Sequence, residues 1–294
     1  MSNKEPKYIF FSGKGGVGKT TMASTTAMYY AQQGLNTMLV TTDPAANLTD
    51  VFEQEIGHKV TEIEGVDNLQ AMEIDSEQAT KEYKENTLEP MREIFDEEMM
   101  EVVEEQLNSP CTEEIAAFDR FIDFMDDDQY EVVIFDTAPT GHTIRLLELP
   151  VDWSEHIEES AEGSGQTCMG PVKNIQDSKE KYDRAIALLK DEEKTEFIFV
   201  LQPEGSAIRE TMNSSQELAE IGVTTTSVIV NGILPEEECT NPFFKKRYEM
   251  QQKHLQEIEE KIELPTKKMK QLDQEIKGIN MLKKFAEMLY REAA

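Results

Sequence analysis

Apolar positions along this chain follow two rhythms. Short, nearly unbroken apolar runs at Tyr8–Phe11, Asn36–Thr42, Tyr130–Asp136, Glu196–Leu201 and Val223–Val230 have the length and β-branched or aromatic content of buried strands. Leu69–Asp75 alternates apolar and polar residues and reads as an edge strand. Between these runs the spacing is helical. Ala23, Ala27, Tyr30 and Ala31 recur up to Gly34, a helix stop. From Ser76 to about Asp128 the pattern is helical and acidic, with Met91, Ile94, Phe95, Met99, Val102, Val103 and Leu107 on one face. Further helices are expected up to about Lys190, from Thr240 to Ile262 and from Ile279 to Arg291. Buried strands separated by helices predict an α/β fold with a mostly parallel central sheet flanked by helices. The segments at about 76–128 and 151–190 are expected as helical insertions forming a subdomain of a single domain spanning residues 1–294.

The first strand run leads into Gly13-Lys14-Gly15-Gly16-Val17-Gly18-Lys19-Thr20-Thr21, which fits G-x-x-x-x-G-K-[ST] from Gly13 to Thr20. Strand, glycine loop and helix is the context this motif needs. Glycines let backbone N–H groups curl around phosphate oxygens, and the helix N-terminus adds partial positive charge. Lys19 is expected to reach the β- and γ-phosphates, and Thr20 to ligate Mg²⁺. This predicts a P-loop NTPase.

Acids stand where two later strands end. Asp43 follows the second strand, and is placed either to orient a water for attack on the γ-phosphate or to sit in the outer shell of Mg²⁺. Asn47 could hold the same water or a phosphate oxygen; a Pro44-Ala45-Ala46-Asn47 turn with an Asp cap is the alternative. Asp136 closes Tyr130–Asp136 in a Walker B pattern and is expected to bind Mg²⁺ through water. The following Thr137–Arg145, with Gly141 and His142, reads as a loop that senses the γ-phosphate. Asn231 after a late strand reads either as an adenine contact or as an Asn-Gly turn.

Charge and cysteine usage narrow the partners. Lys and Arg number 29 against 59 Asp and Glu, for a net charge of −30, which argues against nucleic acid or an anionic membrane surface as ligand. No apolar run has transmembrane length and the first residues lack a signal-peptide core, so a cytoplasmic protein is expected. The three cysteines, Cys111, Cys168 and Cys239, are too scattered for a disulfide framework. Cys111 opens a helix after the Asn108-Ser109-Pro110 break, a position that favours a ligating thiolate.

Together these motifs resemble the ArsA family of arsenite-transporting ATPases and their relatives that target tail-anchored membrane proteins. The resemblance runs nearly end to end, through Gly13–Thr21, Thr42-Asp43-Pro44-Ala45, Asp136–His142, Asn231 and Glu275–Gly278. It implies hydrolysis of ATP with Mg²⁺ by a homodimer. It also implies that Asp43 activates the attacking water and that Lys14, as in the variant loop of MinD and the nitrogenase iron protein, reaches the partner subunit's nucleotide. The targeting branch carries C-x-x-C where this chain has Cys239 alone. In contrast, Ser109–Phe118 and Cys168-Met169-Gly170-Pro171 look like the metalloid-binding segments of arsenite pumps. Thiolates suit trivalent arsenic or antimony, as effector or cargo. Arsenite-pump ATPases often hold two homologous halves, and a homodimer of this chain would restore the count of nucleotide sites. The implied function is an arsenite- or antimonite-binding ATPase that energises or loads an ArsB-like membrane carrier. It would lie at the inner face of the membrane when bound there, with a metallochaperone as a further partner. Two other readings are an ATP-dependent targeting chaperone for tail-anchored proteins and a partitioning ATPase of the MinD type.

Overall fold

The computed structural model describes residues 6–43, 46–92, 95–108, 110–137 and 172–290. Its eight strands are β1 (Lys7–Ser12), β2 (Thr37–Thr41), β3 (Thr61–Glu62), β4 (Leu69–Glu73), β5 (Val132–Asp136), β6 (Thr195–Leu201), β7 (Thr225–Ile233) and β8 (Thr266–Lys270). They form one sheet in the order β3-β4-β2-β5-β1-β6-β7-β8. Every pairing is parallel except β3 with β4. This is the P-loop NTPase fold, as the strand and helix rhythm predicts.

The central strands are apolar on both faces because helices cover both faces of a parallel sheet. In β1, β2 and β5 nearly every residue is buried. Phe10 stacks between Phe135 and Phe197, at ring separations of 4.7 and 5.6 Å. α1 (Lys19–Gln32) starts directly at the glycine loop and is buried from Met22 to Met28. Gly34, at φ +80°, turns the chain after it, as expected of the stop. α9 (Gly278–Tyr290), one residue offset from the predicted span, packs Leu282, Phe285, Ala286 and Leu289 inward. Its Tyr290 hydroxyl lies 2.7 Å from Thr26 of α1, and the ring stacks on Tyr29.

Several elements differ from the sequence expectation. β4 is not the edge; the two-residue β3 lies outside it. At the other edge β8 is Thr-Lys-Lys-Met-Lys, with only Met269 buried, and its lysines suit an unpaired margin. β7 runs through Asn231 and Gly232 to Ile233, so Asn231 lies within a strand and not after it, and the Asn-Gly pair is no hairpin turn. A register shift against β8 absorbs Gly232 at φ +70°. The helix α7 (Gly205–Glu220), between β6 and β7, has no counterpart in the predicted pattern.

The chain folds as two compact units, with boundaries after Glu73, Asp128 and Leu189. The second unit contains α3 (Ser76–Leu88), α4 (Glu97–Gln106), α5 (Pro110–Met125) and most of α6 (Val172–Lys190). Within it, Phe118, Phe121, Ile122, Tyr182 and Ala185 are buried. Lys181 bridges Asp119 and Asp123 of α5 at 2.9 and 2.8 Å. Met91 and Leu107 are buried as the single-face pattern predicts, but Met99 is 42% exposed. Ile94 and the Val102 side chain lie outside the described residues. Among the described residues no helix is long and apolar enough to cross a membrane.

Candidate nucleotide site

The site forms where β1, β2 and β5 end. Parallel pairing aligns Phe11 and Thr41 with Asp136, so the residues that follow each strand emerge side by side. Gly13, at φ +142°, passes so close to β6 that a Cβ there would lie 2.1 Å from the Val200 carbonyl oxygen. Gly18, at φ +98°, is the N-cap of α1, and a Cβ on it would meet Asn231 Nδ2 at 2.5 Å. The loop therefore needs glycine at both positions. Asn231 Nδ2 donates to the Val17 carbonyl at 2.9 Å and ties β7 to the loop.

Lys19, the first residue of α1, is buried, and its Nζ stands 3.5 Å from Asp43 Oδ2. Thr20 Oγ1 donates to Asp136 Oδ2 at 2.6 Å. Thr41 Oγ1 approaches the same oxygen at 3.3 Å and the Asp136 carbonyl at 3.2 Å, and accepts from the Asp43 N–H at 3.2 Å. Thr137 donates from both its N–H and its hydroxyl to the Phe11 carbonyl. Asp136 is fully buried, and among the described residues its Oδ1 has no hydrogen-bond partner. Burial pushes the Asp136 carboxyl up to about 6; Thr20, Lys19 and Thr41 counter this, while Asp43 adds to it.

The structure thus brings Lys19, Thr20, Asp43 and Asp136 together, with Gly13 to Gly18 shaping the loop beside them. A hydroxyl and a carboxylate with one unmatched oxygen are hard donors that fit Mg²⁺. Lys14 reaches within its own chain to Ser206 Oγ of α7, at 3.1 Å. Asn47 caps α2 (Leu48–Phe52), accepting from the Asp50 N–H at 2.8 Å. Pro44, Ala45, Thr140, Gly141, His142 and Cys168 lie outside the described residues. Cys111 is the second residue of α5, but its side chain is not among those described. Cys239 is buried, and its Sγ donates to the Pro235 carbonyl. Among the described residues no group of three His, Cys, Asp or Glu side chains is arranged to hold a metal. Sequence reasoning missed Thr41 and Ser206. Thr41 stands two residues before the strand-end acid Asp43, whereas Ser206 is a contact remote in sequence.

A glycine loop between a buried strand and a helix, with two acids at neighbouring strand ends, defines a P-loop nucleotide-binding protein. Within that class the chain belongs to the anion-transporting ATPase family of ArsA type, whose family model matches residues 6–291. It is 49% identical, over 88% of its length, to a Halobacterium salinarum protein assigned by name to the arsenical pump-driving ATPases. It is 40% identical, over 80% of its length, to an arsenical pump-driving ATPase of Escherichia coli. These matches cover 39% and 41% of those relatives, so the chain spans about two fifths of their length. The ATPase ASNA1 homolog 1 of Paramecium tetraurelia is 33% identical over 99% of this chain and 94% of its own.

Proposed function

We propose that this chain hydrolyses ATP and couples the hydrolysis to trivalent arsenic or antimony, energising or loading a membrane metalloid carrier of the ArsB type. The observation that carries the ATPase part of this reading is the convergence of Lys19, Thr20, Asp43 and Asp136 at the ends of β1, β2 and β5. Gly13 to Thr21 hold the phosphates, with Lys19 on the β- and γ-phosphates. Asp43 orients the attacking water or supports Mg²⁺, which Thr20 and Asp136 would hold. When bound, Mg²⁺ supplies positive charge for the phosphate oxygens. Asn47 keeps its amide for a phosphate oxygen or that water, and Asn231 contacts the adenine edge.

Lys14 acts across a homodimer, at the partner's nucleotide. Cys111 and Cys168 supply thiolates to the metalloid, and a third donor comes from the partner subunit or from hydroxide. The helical unit is then the effector domain. The protein works in the cytoplasm, at the membrane's inner face when docked on the carrier, with a metallochaperone delivering the metalloid.

The arsenical pump-driving relatives support the metalloid branch. A second reading, an ATP-dependent targeting chaperone for tail-anchored proteins, is favoured by the nearly full-length match to the ASNA1 homolog. Phosphate release from ATP with Mg²⁺ by the purified protein tests the shared premise. Release no faster than in a Lys19→Ala control would overturn both readings.

A further inference from the structure

Glu73, the last residue of β4, contacts the chain on both sides of the short helix that follows Asp43. Its Oε1 accepts from the N–H of Leu48, the first residue of α2, at 2.6 Å. Its own backbone N–H donates to the carbonyl of Gly57, in the loop after α2, at 2.9 Å. Thr49 closes the same loop internally, donating to the Ile56 carbonyl and accepting from the Ile56 N–H. Parallel pairing sets Glu73 opposite Thr41, the end of β2, so the backbone that carries this carboxylate is fixed by the sheet.

The described residues on either side of Pro44 and Ala45 are held in place, and the Ala46 N–H donates to the Asp43 carbonyl at 2.9 Å. At the front of this stretch, the Thr42 N–H donates to the Asp136 carbonyl and the Asp43 N–H to Thr41 Oγ1. At its back stands α2, a helix of five residues. So short a helix has little stability of its own and stays where its tethers hold it. Asn47 caps α2 from within, but that bond moves with the helix. The Glu73 bond does not. It joins α2 to the sheet, is short, and sets a carboxylate against helix N–H groups, which makes it charge-assisted.

We propose that Glu73 is a positioning residue for Asp43: by pinning the start of α2 to the end of β4, it sets where the loop places the Asp43 carboxylate. This rests on the ATPase reading above. Loss of the pin costs turnover and leaves the phosphate-binding loop, which lies on β1 and α1, unaltered. Small misplacement of a positioned group can reduce rate by about 10²-fold, so a fall of about tenfold is in range for a loop still held at its front.

The test compares wild type, Glu73→Ala and Glu73→Gln, each as the full chain, for steady-state ATP hydrolysis with Mg²⁺ and for stoichiometry of nucleotide binding. Glu73→Ala is expected to lower kcat about tenfold, with KM and binding stoichiometry within about twofold of wild type. Glu73→Gln keeps an oxygen acceptor for the Leu48 N–H and is expected to recover most of the loss. An unchanged kcat in Glu73→Ala overturns the proposal. So does a fall in kcat matched by an equal fall in binding stoichiometry, which marks a folding defect, or a Gln variant no better than Ala. A wild-type chain without hydrolysis overturns the ATPase reading and this inference with it, whereas active wild type beside an unaffected Glu73→Ala overturns this inference alone.

Discussion

The Lys19 ammonium lies 3.5 Å from the Asp43 carboxylate, with the two side chains only 4% and 9% exposed. A buried cation and anion this close offset part of each other's desolvation cost. Phosphate is the natural competitor for the lysine, and its arrival would leave Asp43 to a water molecule. The two partners should therefore fail differently. Lys19→Ala is expected to abolish ATP binding or hydrolysis. Asp43→Asn is expected to retain binding and lose turnover by about 10²-fold or more. Fluorescent-nucleotide titration and phosphate release separate the two effects. Near-normal turnover in Asp43→Asn would remove Asp43 from catalysis.

Asp136 trades stability for chemistry. Its folded-state carboxyl is pushed above the ordinary aspartate value to about 6, chiefly by burial, so the fold favours the protonated form. The charged form at neutral pH is the destabilising one, and that cost fades as pH falls through about 6 toward the unfolded value. Metal-free Asp136→Asn should accordingly be more stable than wild type at neutral pH, by up to about 3 kcal/mol, and should lose hydrolysis. The stability gain should shrink by about pH 4.5. Urea midpoints at the two pH values check this, and a variant less stable than wild type at neutral pH would contradict it.

Lys14 is held by Ser206 within its own chain, so crossing to a partner requires it to exchange that hydroxyl for phosphate. A charge-assisted bond to phosphate is the stronger of the two. ATP with Mg²⁺ should then shift the protein toward a dimer in sedimentation velocity, and Lys14→Ala should lower hydrolysis more than nucleotide binding. A fully active monomer at every protein concentration would count against the cross-subunit role.

Much of the nucleotide site is legible in the sequence because phosphate chemistry dictates residue type at fixed spacing. Gly13, Gly18, Lys19 and Thr20 fall in one loop, and Asp43 and Asp136 each terminate an apolar run. Pairings between distant segments are not legible in this way. Asn231 reads as a turn or a base contact; β8 pairs beside it and keeps it in strand, which rules out the turn, and its Nδ2 holds Val17. β8 itself has one buried residue, Met269, among lysines, too little to register as a hydrophobic run. α7 hides for a related reason. Its inner face mixes Thr211 and Ser214 with Ala207, Ile208 and Leu218, which blurs the 3.6-residue period. Met99 fits the helical stripe yet faces outward, because the acidic run breaks into three separate helices.

The central claim is that metalloid binding through cysteine drives the ATPase. ATP hydrolysis measured across an arsenite titration, in wild type and in Cys111→Ser, Cys168→Ser and Cys239→Ser, tests it most directly. Cys239 serves as the control because its buried thiol already donates to the Pro235 carbonyl. The account predicts that arsenite raises the rate in wild type and in Cys239→Ser, and raises it in neither of the other two. Stimulation that survives in a Cys111→Ser, Cys168→Ser double variant would move the metalloid site elsewhere, and a wild-type rate indifferent to arsenite would contradict the metalloid reading and favour targeting.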